Sequence, residues 1–120
     1  MAQVAFVRSS IEANTFAYQW TTMANGDDGE PISHMGKADR SVQVNGTFGV
    51  GGSIRIQGSN MASPATDADW FDLTDASDNP LVFTTAKGET ILQLTRWVRA
   101  DVTAGDGTTD LDVYLVFGGR

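Results

Sequence analysis

Few side chains in this 120-residue chain could carry out nucleophilic chemistry. The sequence has no cysteine and one histidine, His34. A thiolate site, a histidine triad or a multi-histidine metal site therefore lacks the residues that would build it. His34 lies in a polar stretch, where we expect it to be solvated, and no G-x-S-x-G elbow is present. These residues predict neither a catalytic nucleophile nor a transition-metal site.

Carboxylates are the remaining candidates, because the chain has 12 aspartates. Asp110 and Asp112 alternate on one predicted strand, about 7 Å apart, which is a separation that inverting glycosidases use. The other face of that strand is apolar and is assigned to the core, so we expect the pair to be solvated charges on open surface. The acidic turns at 25–30 and 105–110 do not match the EF-hand spacing. We expect no enzyme activity, metal or cofactor.

The glycine-rich stretch GTFGVGGSIRIQGSN, residues 46–60, is a candidate phosphate-binding loop. Such a loop needs a helix after its glycines, because the N-terminus of the helix receives the phosphate. Here the alternation of Ile54, Arg55 and Ile56 predicts a strand instead. We therefore expect a glycine hairpin that joins residues 42–48 to residues 53–58.

The elements of the chain are predicted to be strands. Thirteen glycines and 13 threonines stand against two lysines and three glutamates, so strong helix formers are scarce. Apolar and polar residues alternate in several short runs separated by Gly, Asp and Asn turns, which is typical of a sandwich or barrel. The interpretation is an all-β, single-domain β-sandwich of about eight strands. The clearest runs are 16–21, 42–48, 54–56, 97–102 and 110–117, with weaker ones near Val4, Leu81 and Ile91.

Within this domain, residues 1–15 are predicted to be an N-terminal arm or an edge strand, and residues 16–120 the β-sandwich with a long loop at 23–40. Trp20 and Trp70 are expected in the core. Trp97 falls on the polar side of its strand beside Arg99. That tryptophan belongs either to a contact surface, where Trp and Arg are enriched, or to a second buried face under the long loop.

The net charge of −7 and the pI near 4.3 argue against direct binding to nucleic acid, which depends on lysine and arginine displacing counterions. The apolar run from Val4 to Val7 ends at Arg8 and is too short for a secretory signal or a membrane span. We therefore expect synthesis in the cytoplasm and no membrane partner.

From Ser41 onward the order of motifs resembles the capsid decoration (cement) proteins and related small virion proteins of tailed bacteriophages. The motifs are V-x-V-x-G-x-F-G, I-x-I-Q-G-S-N, W-x-x-L-T-D, R-W-V-R and D-G-T-T-D-L-D-V. The resemblance implies a jelly-roll sandwich that binds the major capsid protein on the outside of the head and stabilises the shell. It implies a homo-oligomer, with a trimer favoured over a dimer, a location in the virion, and no catalytic residue.

The surfaces that would make these contacts are predicted from the residues. The apolar N-terminal segment could add a strand to a neighbouring sheet edge, and the long loop carries some of the few cations. Two alternatives remain open: a phage tail or baseplate protein, and a carbohydrate-binding module that would use Trp97 and Tyr114. The candidate capsid or oligomer contacts are Val4, Phe6, Val7, Met35, Lys37, Arg40, Trp97 and Arg99.

Overall fold

The computed structural model describes residues 2–33 and 37–118, which form eleven strands and one 3₁₀ turn at Asp67–Asp69. Two residues per repeat is the period of the strand, and buried residues follow it along Asp39–Thr47 and Asp110–Gly118. The strands are β1 (Gln3–Val4), β2 (Val7–Glu12), β3 (Thr15–Met23), β4 (Asp28–Gly29), β5 (Asp39–Thr47), β6 (Ser53–Ser59), β7 (Phe71–Asp72), β8 (Val82–Phe83), β9 (Lys87–Ile91), β10 (Trp97–Ala104) and β11 (Asp110–Gly118).

The strands form two packed sheets. Sheet A has the order β1-β4-β10-β6-β7, with β8 also paired to β6, and sheet B has the order β2-β3-β11-β5-β9. Leaving out β1 and β2, and counting β7 and β8 as one broken strand, eight strands remain. The chain changes sheet at each step between them except from β6 to β7. This is the connection pattern of a jelly roll. The predicted all-β sandwich of about eight strands is confirmed.

The core lies between the inner faces of the two sheets. In β10 the inward residues are Val98, Ala100 and Val102, as the alternation predicts, and all three are buried. The inward residues of β11 are equally buried, and Trp20 fills the centre with its indole N–H donating to the carbonyl of Glu30 at 3.1 Å. Burial of these side chains is the main driving force of the fold.

The predicted glycine hairpin is wrong. β5 and β6 lie in different sheets, so residues 48–52 form a crossover rather than a turn between paired strands. Gly49 has a φ of +75°, a conformation that other residues rarely adopt, and a Cβ on Gly52 would overlap the carbonyl oxygen of Phe48. The glycines turn the chain sharply from one sheet to the other.

The N-terminal segment pairs with its own domain. β1 runs parallel to β4 in sheet A, and β2 runs antiparallel to β3 in sheet B. The segment therefore crosses from the edge of one sheet to the edge of the other. Val4 and Phe6 pack against the core as it crosses, and the Phe6 ring meets Tyr18 edge-on at 5.4 Å.

One expectation about the middle of the chain needs correction, and a second needs a finer description. The stretch 23–40, predicted to be a loop, contains β4, a β-bridge from Ile32 to Val98, and the start of β5. A two-residue strand is too short to show alternation, which explains the error. Trp70 is buried, as expected, but it packs against Arg99 and lies outside the main core cluster. None of the described segments is a helix long and apolar enough to cross a bilayer.

Candidate functional site

The predicted contact residues lie in three different places. Val4 and Phe6 are half-buried against the core, whereas Val7 points outward from sheet B and is 60% exposed. Lys37 lies near the N-terminal segment, and Met35 falls outside the described residues, as does His34. The remaining three residues belong to long strands: Arg40 is the second residue of β5, and Trp97 and Arg99 lie in β10.

One cluster joins the two segments that were predicted separately as contacts. Arg8 of β2 and Lys37 both lie beside the half-buried Phe16, each with its charged group 5.8 Å from the ring centroid. The Lys37 ammonium also donates to the Asn14 side chain at 3.2 Å. Among the described residues, neither cation forms an ion pair with a carboxylate. We call Arg8, Asn14, Phe16 and Lys37 the basic edge.

Arg40 is not an exposed loop cation as predicted. It is buried in β5, and its guanidinium lies 5.0 Å from the ring centroid of Phe117. It donates to the backbone carbonyls of Lys37 and Thr95 at 3.1 and 3.2 Å. Burial lowers the pKa of this guanidinium from its ordinary value. Arg40 therefore ties the start of β5 to two neighbouring segments, and it has no open surface to offer a partner.

Arg99 forms the centre of a second cluster, on the outer face of sheet A. The guanidinium stacks on Trp70 with its carbon 4.5 Å from the ring centroid. It donates twice to the Gln57 side chain, at 2.9 and 3.1 Å, and pairs with Asp28 at 3.3 Å and with Asp67 at 3.2 Å. The prediction of Arg99 as a surface contact is corrected here, because its side chain is only 7% exposed and its donors are used internally.

The residues 60–70 cover this outer face, and we call them the covering loop. Asp67 and Trp70 of the loop contact Arg99, and the Trp97 indole donates to the carbonyl of Met61 at 3.0 Å. Trp97 is half-buried and lines an open groove of about 370 Å³ with Pro31 and Pro64. The tryptophan is therefore covered in part by residues 60–70, and Pro31 of the stretch 23–40 lines the same groove.

Asp28 in this cluster has a perturbed pKa. Burial raises the pKa above its ordinary value, Arg99 lowers it, and the nearby carboxylates of Asp101 and Asp67 raise it again. An ion pair at 3.3 Å would by itself lower the pKa, so removal from water outweighs the attraction to Arg99. At Asp28, desolvation therefore limits what the ion pair with Arg99 contributes to stability.

The outer face of sheet B has a different character. Cross-strand pairing aligns its outward residues in two rows that each run across all five strands. None of these residues carries a charge, although the protein has a net charge of −7. The rows are Val7, Gln19, Tyr114, Gln43 and Gly88, and Ser9, Ala17, Val116, Ser41 and Thr90.

We call these two rows the uncharged face. Tyr114 and Val116 of the central strand β11 are 36% and 37% exposed and stand between two open depressions. One depression, of about 530 Å³, lies toward β5 and β9, and the other, of about 460 Å³, lies toward β2 and β3. Asp112 and Asp39 border the face at its two ends.

The carboxylates do not converge on a reaction centre in the described structure. Asp112 accepts a hydrogen bond from the backbone N–H of Thr22 at 2.9 Å, and Asp110 points to solvent. Asp106 accepts from the Thr108 hydroxyl and from the backbone N–H groups of Val50 and Thr108, and these bonds lower its pKa to about 2. Within residues 2–33 and 37–118, no group of three or more acidic or histidine side chains is placed to hold a metal ion.

Sequence reasoning missed the uncharged face and the partners of Arg99. The first had a signal, because the outward positions of the strands now paired in sheet B are polar or apolar but never acidic in the two central rows. The second had none, because Asp67 and Trp70 reach Arg99 only through the path of the covering loop.

A comparison with solved structures finds the same fold in a phage-related protein. The chain is similar to the SPBc2 prophage-derived protein YomS, with a TM-score of 0.55 and 14% sequence identity. The alignment covers 91% of this chain and 98% of that chain. At this identity the likeness is one of fold. No protein-family model matches the sequence, and no curated protein matches it.

Proposed function

We propose that this chain is a bacteriophage capsid decoration protein that binds the major capsid protein on the outer surface of the head and stabilises the shell. Three observations support the proposal: the motifs from Ser41 onward, the jelly-roll topology, and the fold shared with a prophage-derived protein. In this proposal the protein is made in the host cytoplasm and ends in the virion. The proposal includes no catalytic group and no cofactor.

The basic edge is the observation that carries the attachment. Two segments that sequence reasoning selected independently, the N-terminal segment and the region around Lys37, meet at Phe16. In a protein of net charge −7, a pair of cations with no carboxylate partner in the described structure stands out. Cations beside an aromatic ring provide both electrostatic attraction and apolar contact area. We assign the capsid contact to this edge.

Weak contacts of this kind suffice on a symmetric shell. A decoration protein that binds as a homo-oligomer engages several capsid sites at once. Each linked contact then occurs at a high effective concentration. Occupancy of the shell is therefore sensitive to small changes in the affinity of each single contact.

Co-sedimentation with heads tests the attachment. Heads of the phage that carries the gene, prepared without this protein, are mixed with the chain and with the double variant Arg8→Ala, Lys37→Ala. We expect the variant to bind at least about tenfold more weakly, because each oligomer loses several charged contacts. Binding of the unaltered chain should also weaken as salt rises, since exposed charges are screened.

The matched control is the double variant Lys87→Ala, Arg96→Ala. It removes two positive charges from exposed positions elsewhere and gives the same net charge. Equal loss of binding in both double variants would reject the basic edge as the contact. Deletion of residues 1–8 is a poorer test, because β1 and the start of β2 belong to the sheets and their loss disturbs the fold.

Imaging of labelled particles separates the proposed role from a place in the tail or baseplate. Label spread over the head supports decoration, and label confined to the tail rejects it. A glycan array tests the carbohydrate alternative. That alternative needs an aromatic platform on one face, but Trp97 belongs to sheet A and Tyr114 faces outward from sheet B.

A further inference from the structure

The absence of charge on the uncharged face favours contact with a second copy of this acidic chain. Any two copies of a protein with a net charge of −7 repel each other at long range, and most of their surfaces meet with like charges opposed. The two central rows of sheet B are the exception, because none of their outward residues is charged. Two copies that approach through these rows bring no charged residue of the rows into contact. Glu89 also lines the depression toward β9, but its charge is paired with Lys87 at 3.3 Å.

The shape of the face also matches a second copy. Tyr114 and Val116 form a ridge along β11, and a depression lies on each side of it. If two such faces meet about a two-fold axis and are offset by about one strand spacing, the ridge of each enters a depression of the other. An interface made by the same patch on both copies is the commonest form of self-association.

We propose that the uncharged face of sheet B binds the same face of a second copy of this chain. Tyr114 is the central contact, since exposed tyrosines pack large area at low entropic cost and are enriched in interfaces. Asp112 and Asp39, at the two ends of the face, form the rim and limit the register that two acidic copies can adopt.

The size of the face sets the expected strength. Five strands about 4.8 Å apart and two rows about 7 Å apart give roughly 350 Å² of flat area for each copy. This is less than half of the roughly 800 Å² that a stable interface buries for each partner. The pair should therefore be weak, with a dissociation constant on the order of 0.1 mM, and it should fill mainly at high local concentration.

Self-association is measured on the purified chain without capsids, so its outcome does not depend on the proposed function. Sedimentation velocity from about 10 µM to about 1 mM should show a concentration-dependent shift toward a dimer. Raising the salt from about 0.05 to about 0.5 M should strengthen pairing, because it screens the repulsion between the copies. The same change should weaken attachment through the basic edge, which separates the two surfaces.

Matched variants locate the interface. Val116→Asp places a carboxylate on the ridge and should weaken pairing at least tenfold. Val82→Asp makes the same substitution in sheet A at a residue of similar exposure, 42% against 37%, and should leave pairing unchanged. A mixture of Val116→Asp and Val116→Lys should associate more tightly than either variant alone, since opposite charges then face each other.

Amide chemical shifts of the unaltered chain provide a readout that does not depend on whether a variant folds. On dilution, the shifts of β11 and the neighbouring β5 should change, and those of β6 and β10 in sheet A should not. A chain that stays monomeric at about 1 mM in about 0.5 M salt would overturn the proposal. Equal weakening by Val116→Asp and Val82→Asp, a trimer, or shifts confined to sheet A would also overturn it.

Discussion

The outer faces of the two sheets share a backbone plan but differ in how they treat charge. On sheet A, Arg55 pairs with Asp101 at 3.2 Å and with Asp72 at 3.8 Å, and Arg99 pairs with two further aspartates under the covering loop. On sheet B, the two central rows carry no charge and no loop covers them among the described residues. The polar groups on the outer face of sheet A bond to other groups of the fold, whereas those on the outer face of sheet B are exposed to a partner.

Two glutamines show what this difference means for single residues. Gln57 of β6 and Gln43 of β5 both point outward from strands inside their sheets. Gln57 is buried and accepts two hydrogen bonds from Arg99, whereas Gln43 is exposed and lines both depressions of the uncharged face. The same residue type on the same side of a strand is structural in one sheet and free for contact in the other.

The largest effect is expected from Arg99→Leu on sheet A. The substitution removes the stack on Trp70 and leaves Gln57 and Asp28 without their main partner. We expect the free energy of unfolding to fall by roughly 2–3 kcal/mol; a fully buried pair would cost more, but Asp28 and Asp67 keep partial access to water. The melting temperature should fall by about 8–12 °C in calorimetry.

Lys87→Ala is the control for Arg99→Leu. Lys87 pairs with Glu89 at 3.3 Å on the surface, so its removal should change the free energy of unfolding by less than about 0.5 kcal/mol. If the two substitutions had equal effects, the cluster around Arg99 would not stabilise the fold.

The matched substitutions Gln57→Leu and Gln43→Leu sharpen the comparison. Gln57→Leu leaves two buried donors of Arg99 without an acceptor, which should cost about 1–3 kcal/mol of unfolding free energy. Gln43→Leu breaks no side-chain hydrogen bond within residues 2–33 and 37–118, so it should change stability by less than about 0.5 kcal/mol while it tightens self-association. Urea unfolding measures both, and equal losses of stability would remove the distinction between the faces.

The parts of the fold that sequence predicted are those that depend on local alternation. The inward residues of β10 and β11 follow from a period of two, and so does the outward position of Asp110. Alternation says which side of a strand a residue occupies, but it does not say what lies on that side. Arg99 was therefore placed on the correct side, and its burial was missed because the covering loop returns from a distant part of the chain.

Local alternation also does not reveal which strands pair. This explains the wrong prediction of a hairpin at 48–52 and the failure to predict the basic edge. Pairing between strands depends on the path of the whole chain, so a sharp glycine turn at 48–52 predicts a change of direction but not which sheet follows. The meeting of Arg8 and Lys37 at Phe16 likewise needs the register of β2 on β3. Only the composition of the uncharged face was present in the sequence before the pairing was known.

Asp106 lies at a junction between the two sheets, and its carboxylate is expected to stabilise that junction. It lies between β10 and β11, and its carboxylate accepts from Thr108 and from the backbone N–H of Val50 in the crossover from sheet B to sheet A. The Thr108 hydroxyl, with these backbone bonds, lowers the pKa to about 2. Because the folded state lowers this pKa, its stabilising effect is present above the ordinary value and is lost as pH falls toward 2.

We therefore expect Asp106→Asn to melt at a lower temperature than the unaltered chain at pH 6. The two melting curves should converge as the pH is lowered from about 4 to about 2. Thermal unfolding followed by circular dichroism across this range measures the effect. A difference between the two chains that stays constant with pH would contradict the assigned role of the carboxylate.

The smallest effect is expected from Asp28→Asn, and its sign is the informative part. Burial raises the pKa of Asp28 in the folded protein. At a pH above that raised pKa, ionised Asp28 therefore lowers the free energy of unfolding. At a pH below the ordinary pKa this loss of stability disappears. Since the side chain is 36% exposed, solvent screening reduces the expected gain from Asp28→Asn to about 0.3 kcal/mol at pH 7. At pH 3 the two chains should be equally stable.

Asp67 still pairs with Arg99 in the variant, so the cluster keeps one carboxylate. A loss above about 1 kcal/mol at pH 7 would instead make the Asp28–Arg99 ion pair a net source of stability, and the covered face would then depend on charge attraction as well as on shape.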